Sequence, residues 1–203
     1  MTQTPLKLLA FEEFLQQYGD NPRYELADGD LIDMEPTGTH EAVAGKVGSK
    51  ISVEIERQNL PFLIPKSCIL RPSGSEATAR RPDVIVLDEI ALTDEPYWHQ
   101  EPVIIRGQSV KLVIEVVSTN WENDYARKVE EYALMGIAEY WIVDFRGLGG
   151  IRFIGDPKQP TLTVNQLSGK LYAQQQFRLG ERIRSPLFPS LILGLEDVMP
   201  RIG

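Results

Sequence analysis

The chain has 203 residues, 42% of them hydrophobic and 25% charged, the make-up of an ordinary globular domain rather than of a disordered or collagen-like chain. A formal net charge of −8 excludes a protein that coats nucleic acid with Lys and Arg, so a nucleic-acid partner would need a local basic patch or metal ions. No run approaches the roughly 18 apolar residues of a membrane span, and the opening MTQTPLKLLAFEEF lacks a signal-peptide pattern, so no membrane partner and a cytoplasmic location are expected.

Residues 8–18 (LLAFEEFLQQY) have helical spacing, with Leu8, Phe11, Leu15 and Tyr18 near one face. RYELADGDLIDM predicts a hairpin about Asp28-Gly29, a dipeptide suited to the positive φ of a tight turn. After a loop at Pro36, Gly38 and Thr39, the spacing of Val43, Ala44, Val47, Ile51 and Ile55 predicts a helix from His40 to about Gln58, with His40 on the same stripe.

Strands are predicted at PFLIPKSCIL, at RPDVIVLD beyond a Gly/Ser-rich turn, and at VKLVIEVVS. Cys68, the single cysteine, lies in an apolar run and reads as a buried, inert thiol. The segment WENDYARKVEEYALMG predicts a helix capped by Gly136, its stripe formed by Tyr125, Val129, Tyr132, Ala133 and Gly136, with Lys128 at the border. A border lysine ordinarily snorkels to water. The strand AEYWIVDF follows, parallel to VKLVIEVVS because a helix connects them.

Beyond Gly149, GIRFIGD, PTLTVNQL and LYAQQQF read as an antiparallel meander, and LFPSLILGLEDVM as an apolar tail packed on the body. The prediction is one α/β (α+β) domain over 1–203 with a central mixed sheet flanked by helices. Within it, 1–39 form an N-terminal helix and hairpin, 40–146 a core in the order helix, strand, strand, strand, helix, strand, and 147–203 the meander and tail.

Glu115 stands inside the apolar run LVIEVVS, where an uncompensated polar group costs roughly 2–7 kcal/mol. Asp83 starts the preceding strand. Were the two strands to pair with these acids side by side, like charges would meet and call for a shared proton or a divalent cation, and an all-oxygen set suits Mg²⁺ or Mn²⁺. Either acid taken singly reads sooner as a cap, a loop acceptor or a partner of Arg80 or Arg81, and it is the pair that points to a site. Asp88, Glu89, Asp94 and Glu95 read as solvated loop acids, and Asp144 as a strand-end cap. Lys128, on a helix that begins just past the Glu115 strand, could reach the same point.

RRPDVIV, LVIEVVS and DYARKVEEYALMGIAEYWIVD, together with RYELADGDLIDMEPTGTHEAV and PSLILGLEDVM, resemble the Uma family of restriction endonucleases, a branch of the PD-(D/E)XK nuclease superfamily abundant in cyanobacteria. The resemblance covers nearly the whole chain. It implies a restriction-endonuclease-like core in which Asp83 matches the PD aspartate and Glu115 the second acid. Val117 occupies the place of the usual lysine, and Lys128 on the following helix matches the lysine of this branch. Glu25 and His40 match further family positions, and Glu41 beside His40 is an additional candidate ligand or substrate contact.

The implied activity is Mg²⁺- or Mn²⁺-dependent hydrolysis of DNA phosphodiester bonds, with metal held by Asp83, Glu115 and the Val116 backbone carbonyl. The implied state is a homodimer joined through the meander and tail. The net charge keeps open a second reading, a nuclease-fold binding or regulatory module without catalysis. A small-molecule hydrolase is disfavoured, because the chain has no Gly-rich phosphate loop, nucleophile elbow or zinc-spaced Cys/His set.

Overall fold

The computed structural model describes residues 8–72, 74 and 77–200, which leaves Ser73, Ser75 and Glu76 of the predicted Gly/Ser-rich turn outside the described residues. Helix α1 (Phe11–Tyr18) buries Phe11 and Phe14. Leu8, predicted on its stripe, is exposed instead. Strands β1 (Tyr24–Ala27) and β2 (Asp30–Asp33) form the predicted hairpin, whose turn places Asp28 and Gly29 at φ 52° and 88°.

Helix α2 (Gly38–Gln58) starts where the Thr37 hydroxyl accepts the His40 amide, and it buries Val43, Ala44, Val47, Ile51 and Ile55 together with His40. The stripe read from sequence is the stripe that packs, because apolar residues at three- and four-residue steps can all be withdrawn from water at once.

The predicted strand PFLIPKSCIL divides into β3 (Phe62–Leu63) and β4 (Ile69–Leu70), which belong to different sheets. Pro65 in its middle has no N–H to offer a ladder, and the chain changes direction there. β4 pairs in parallel with β6 (Val103–Ile104), and this small sheet shares an apolar cluster with Phe11, Phe14, Leu26 and Ala79. Glu95, read as a solvated loop acid, is buried and accepts hydrogen bonds from the Ile105 and Arg106 amides and the Ser109 hydroxyl. Asp144 does cap its strand end, accepting the Leu148 and Gly149 amides.

The main sheet contains β5 (Val84–Asp88), β7 (Val110–Val116), β8 (Glu139–Asp144), β9 (Thr161–Ser168) and β10 (Leu171–Phe177), in the order β10-β9-β8-β7-β5-β3. β7 and β8 are parallel, and the other neighbours are antiparallel. The predicted antiparallel meander is present as β9 and β10, which extend the central sheet beyond β8. GIRFIGD contributes no strand: Ile151–Ile154 form α4, one helical turn between Gly150 and Gly155, with Phe153 against the Trp121 and Tyr125 rings. That ring packing overrides the alternation seen in the sequence.

Alternation along β5 and β7 sorts the core into two layers. Val84, Val86, Leu112, Ile114 and Val116 face α2 and the tail residues Phe188, Leu193, Leu195 and Val198. Ile85, Leu87, Val113 and Val117 face the opposite layer, which holds Tyr125 and Tyr132 of the segment connecting β7 to β8. Glu115 lies between Ile114 and Val116, so its side chain is delivered to that second layer.

That connecting segment departs from the predicted uniform helix. Residues Asn123–Arg127 form a π-helical turn, in which the Lys128 amide donates to the Asn123 carbonyl five residues back, and α3 (Lys128–Met135) continues from it. Gly136 at φ 81° ends α3 in the left-handed conformation, as its position after the helix predicted.

Candidate active site

The register Val84↔Ile114 and Ile85↔Val113 brings the start of β5 beside the end of β7. Asp83, one residue before β5, turns its carboxylate onto the end of β7, where Oδ2 accepts the Val116 amide at 2.7 Å. From the other sheet face, the first turn of α2 supplies His40, whose Nε2 lies 2.8 Å from the Val116 carbonyl oxygen and 3.3 Å from Asp83 Oδ2. Its Nδ1 is buried and has no hydrogen-bond partner among the described residues, with Glu41 Oε1 at 3.9 Å.

Glu115 is buried, and its two oxygens are separately held. Oε1 accepts the Tyr132 hydroxyl at 2.8 Å, and Oε2 meets Lys128 Nζ at 3.1 Å. Lys128 does not snorkel from a helix border; it is only 2% exposed. Lys128 lies one turn before Tyr132 on α3 and shares its buried face, so the amine is carried inward with the stripe. Asp124 Oδ1 lies 3.2 Å from the same amine, and Glu25 Oε1 lies 3.8 Å away. The ammonium therefore has three carboxylates about it.

Arg80 and Arg81 do not pair with Asp83 or Glu115, an alternative left open by the sequence. Arg80 is buried between Glu25 (3.3 Å) and Glu131, with which it makes two hydrogen bonds of 2.8 Å. Arg81 donates through its guanidinium to the Tyr18, Gly19 and Tyr24 carbonyls.

Negative charge exceeds positive charge here, since Glu25, Glu115 and Asp124 surround Lys128, Arg80 is already shared between Glu25 and Glu131, and Asp83 adds a further carboxylate at the cavity. Burial pushes the Glu115 carboxyl up to about 8; Lys128 opposes the rise, while Asp83, Asp124 and Glu25 add to it. Burial likewise raises Asp124 to about 6. Burial works against the charged form of Lys128, yet Glu115, Glu25 and Asp124 outweigh it and hold the amine firmly protonated. His40 is also raised: burial works against its charged form, but the hydrogen bond and charge of Asp83, the Val116 carbonyl and Glu41 together outweigh it.

Asp83, Glu115, Val116, Asp124, Lys128 and His40 line one cavity of about 400 Å³. Glu41 reaches its wall, but its side chain is 63% exposed and contacts none of the buried acids. Glu25 sits behind the wall. Two residues were not picked out from the sequence: Asp124 and the hydroxyl of Tyr132. The first was legible as a carboxylate four residues before Lys128, a spacing that brings side chains together. Lys66 and Arg146, both exposed and without a carboxylate partner among the described residues, also line the cavity.

The family model described as "Uma2: Putative restriction endonuclease" matches residues 11–196. The chain belongs to the Uma2 family. A crystal structure described as a putative nuclease belonging to DUF820, from Anabaena variabilis ATCC 29413, is similar in fold to this Uma2 chain. It has a TM-score of 0.67 and 18% identity, over 94% of this chain and 97% of that one. No curated protein matches. The restriction-endonuclease-like architecture expected of a Uma2 protein is thus the architecture observed, and no helix among the described residues is long and apolar enough to cross a membrane.

Proposed function

We propose that this Uma2 protein is a Mg²⁺- or Mn²⁺-dependent endonuclease that hydrolyses DNA phosphodiester bonds at the Asp83–Glu115–Lys128 site. The observation that carries the reading is that these three residues, drawn from three segments of the chain, open onto one cavity with an excess of buried carboxylate. Two carboxylates and the Val116 carbonyl are hard oxygen donors, a chemistry that fits a hard divalent cation. Burial is what chiefly raises Glu115, with Asp83, Asp124 and Glu25 adding to the rise, and a bound cation would offset both the burial cost of the carboxylate and that added negative charge.

Asp83, Glu115 and the Val116 carbonyl would hold the metal, which when bound polarises a phosphate and lowers the pKa of an attacking water. Asp83 presents a carboxylate fixed on two sides, by the Val116 amide and by His40 Nε2. Tyr132 fixes one oxygen of Glu115. Lys128, held protonated by its carboxylates, is suited to stabilising charge that develops on phosphate oxygens rather than to taking a proton from water. Lys66 and Arg146 at the cavity are free to meet flanking phosphates, a small local patch consistent with the acidity of the whole chain.

With Mg²⁺ or Mn²⁺ present, the protein is expected to nick or cut DNA; Asp83→Ala and Glu115→Ala abolish the cleavage, and Lys128→Ala reduces it by about 100-fold or more. Plasmid and oligonucleotide substrates left intact under both metals would remove this reading. One observation favours the alternative, a binding module of nuclease fold: among the described residues, no three His, Cys, Asp or Glu side chains form a ready ligand cluster.

A further inference from the structure

We propose that Glu25, on the N-terminal hairpin, is a positioning residue that sets Asp83 and Lys128 at their working separation. The proposal rests on the active-site reading above for its kinetic arm, and on contacts alone for its structural arm. Glu25 is only 2% exposed, and one of its oxygens serves two parts of the site. Oε1 accepts the Arg81 amide at 2.8 Å, two residues before Asp83, and lies 3.8 Å from Lys128 Nζ. Oε2 meets Arg80 Nη1 at 3.3 Å, and Arg80 in turn grips Glu131, one turn along α3 from Lys128.

The chain segment that leads into Asp83 and the helix that carries Lys128 are thus tied through a single carboxylate. The tie is reinforced at the hairpin turn, where Arg127 joins Glu131 and Asp28 at 2.7 Å each. The hairpin pairs with residues 77–79 through Leu26↔Ala79 and the Gly29 amide to the Ala77 carbonyl, so it belongs to the frame of the site. Glu25 touches no part of the cavity, which makes a direct contact with substrate the wrong role for it.

Glutamine cannot replace this carboxylate. Whichever way its amide is turned, one –NH₂ must face either the Arg81 N–H or the Arg80 guanidinium, a donor against a donor. The attraction to Lys128 is lost as well. A displacement of about 1 Å in a catalytic group can cost about 100-fold in rate.

Wild type and Glu25→Gln are compared by amide hydrogen exchange at Arg81 and Val116, by the NMR signal of Lys128 Nζ, by Mn²⁺ titration, and by single-turnover cleavage at saturating DNA. The expected result is faster exchange at Arg81 with a shifted Lys128 signal and unchanged Val116 exchange. Mn²⁺ affinity stays within about threefold, and cleavage falls by about 100-fold. Unchanged Arg81 exchange and an unmoved Lys128 signal overturn the proposal. So does a parallel loss of Mn²⁺ affinity, Val116 protection and melting temperature, because that pattern marks a purely structural residue. Wild-type protein that neither binds Mn²⁺ nor cuts DNA refutes the endonuclease reading instead, and the exchange and Lys128 signals then decide the role of Glu25 by themselves.

Discussion

At Glu115, burial beside Lys128 and three further acids makes protonation part of the folding equilibrium. The folded carboxyl titrates at about 8 against an ordinary 4.5, so its contribution to stability is full below the ordinary value and is lost as pH rises through about 8. Asp124 behaves alike over a lower window, from 3.8 to about 6. Metal-free wild type should therefore lose thermal stability relative to Glu115→Gln as pH is raised from about 5 to 9, and Mn²⁺ added at the alkaline end should restore wild type alone. Melting curves that stay parallel across this range would show that Glu115 does not carry the raised carboxyl. Asp83 and Glu115 were legible as a pair because strand alternation and an acid in an apolar run are local signals. The surroundings of Lys128 were not, since Glu25 and Arg80 are 55 residues apart in sequence and meet only through the fold.

Among the elements, α2 and the parallel pair β7 and β8 could be read ahead because apolar periodicity and burial coincide in them. The π-turn before α3 could not, because a single additional residue leaves no compositional mark. The single turn at Ile151–Ile154 escaped for another reason: its apolar residues satisfy a strand pattern, and only the rings of Trp121 and Tyr125 decide otherwise.

The far end of α3 is fixed by two glycines with different demands. Gly136 adopts φ 81° in open space, whereas a Cβ on Gly107 would fall 2.0 Å from the Met135 carbonyl oxygen. Gly136→Ala should then cost about 1–2 kcal/mol of backbone strain, and Gly107→Ala about 3 kcal/mol or more, because the end of α3 must move. Urea denaturation gives both values. A Gly107→Ala midpoint no lower than that of Gly136→Ala would contradict the close approach.

Over the whole molecule, the tail packs on the body as expected, burying Phe188, Leu193, Leu195 and Val198 in the chain's own core and leaving Ile192 exposed. The surface left for the proposed homodimer is the outer edge of β10 in the meander, where Leu171 is 75% exposed, together with Ile192 of the tail. The net charge of −8 and the exposed Lys66 and Arg146 at the cavity fit together if the substrate is held at few phosphates and the buried acids are matched by metal. That metal is the central claim, and anomalous diffraction from crystals soaked in Mn²⁺ above pH 8 tests it most directly. The expected result is an anomalous peak bonded to the Asp83 and Glu115 carboxylates and the Val116 carbonyl, absent in Glu115→Gln. Soaked crystals with no peak at these oxygens, or with Mn²⁺ bound only elsewhere, would contradict it.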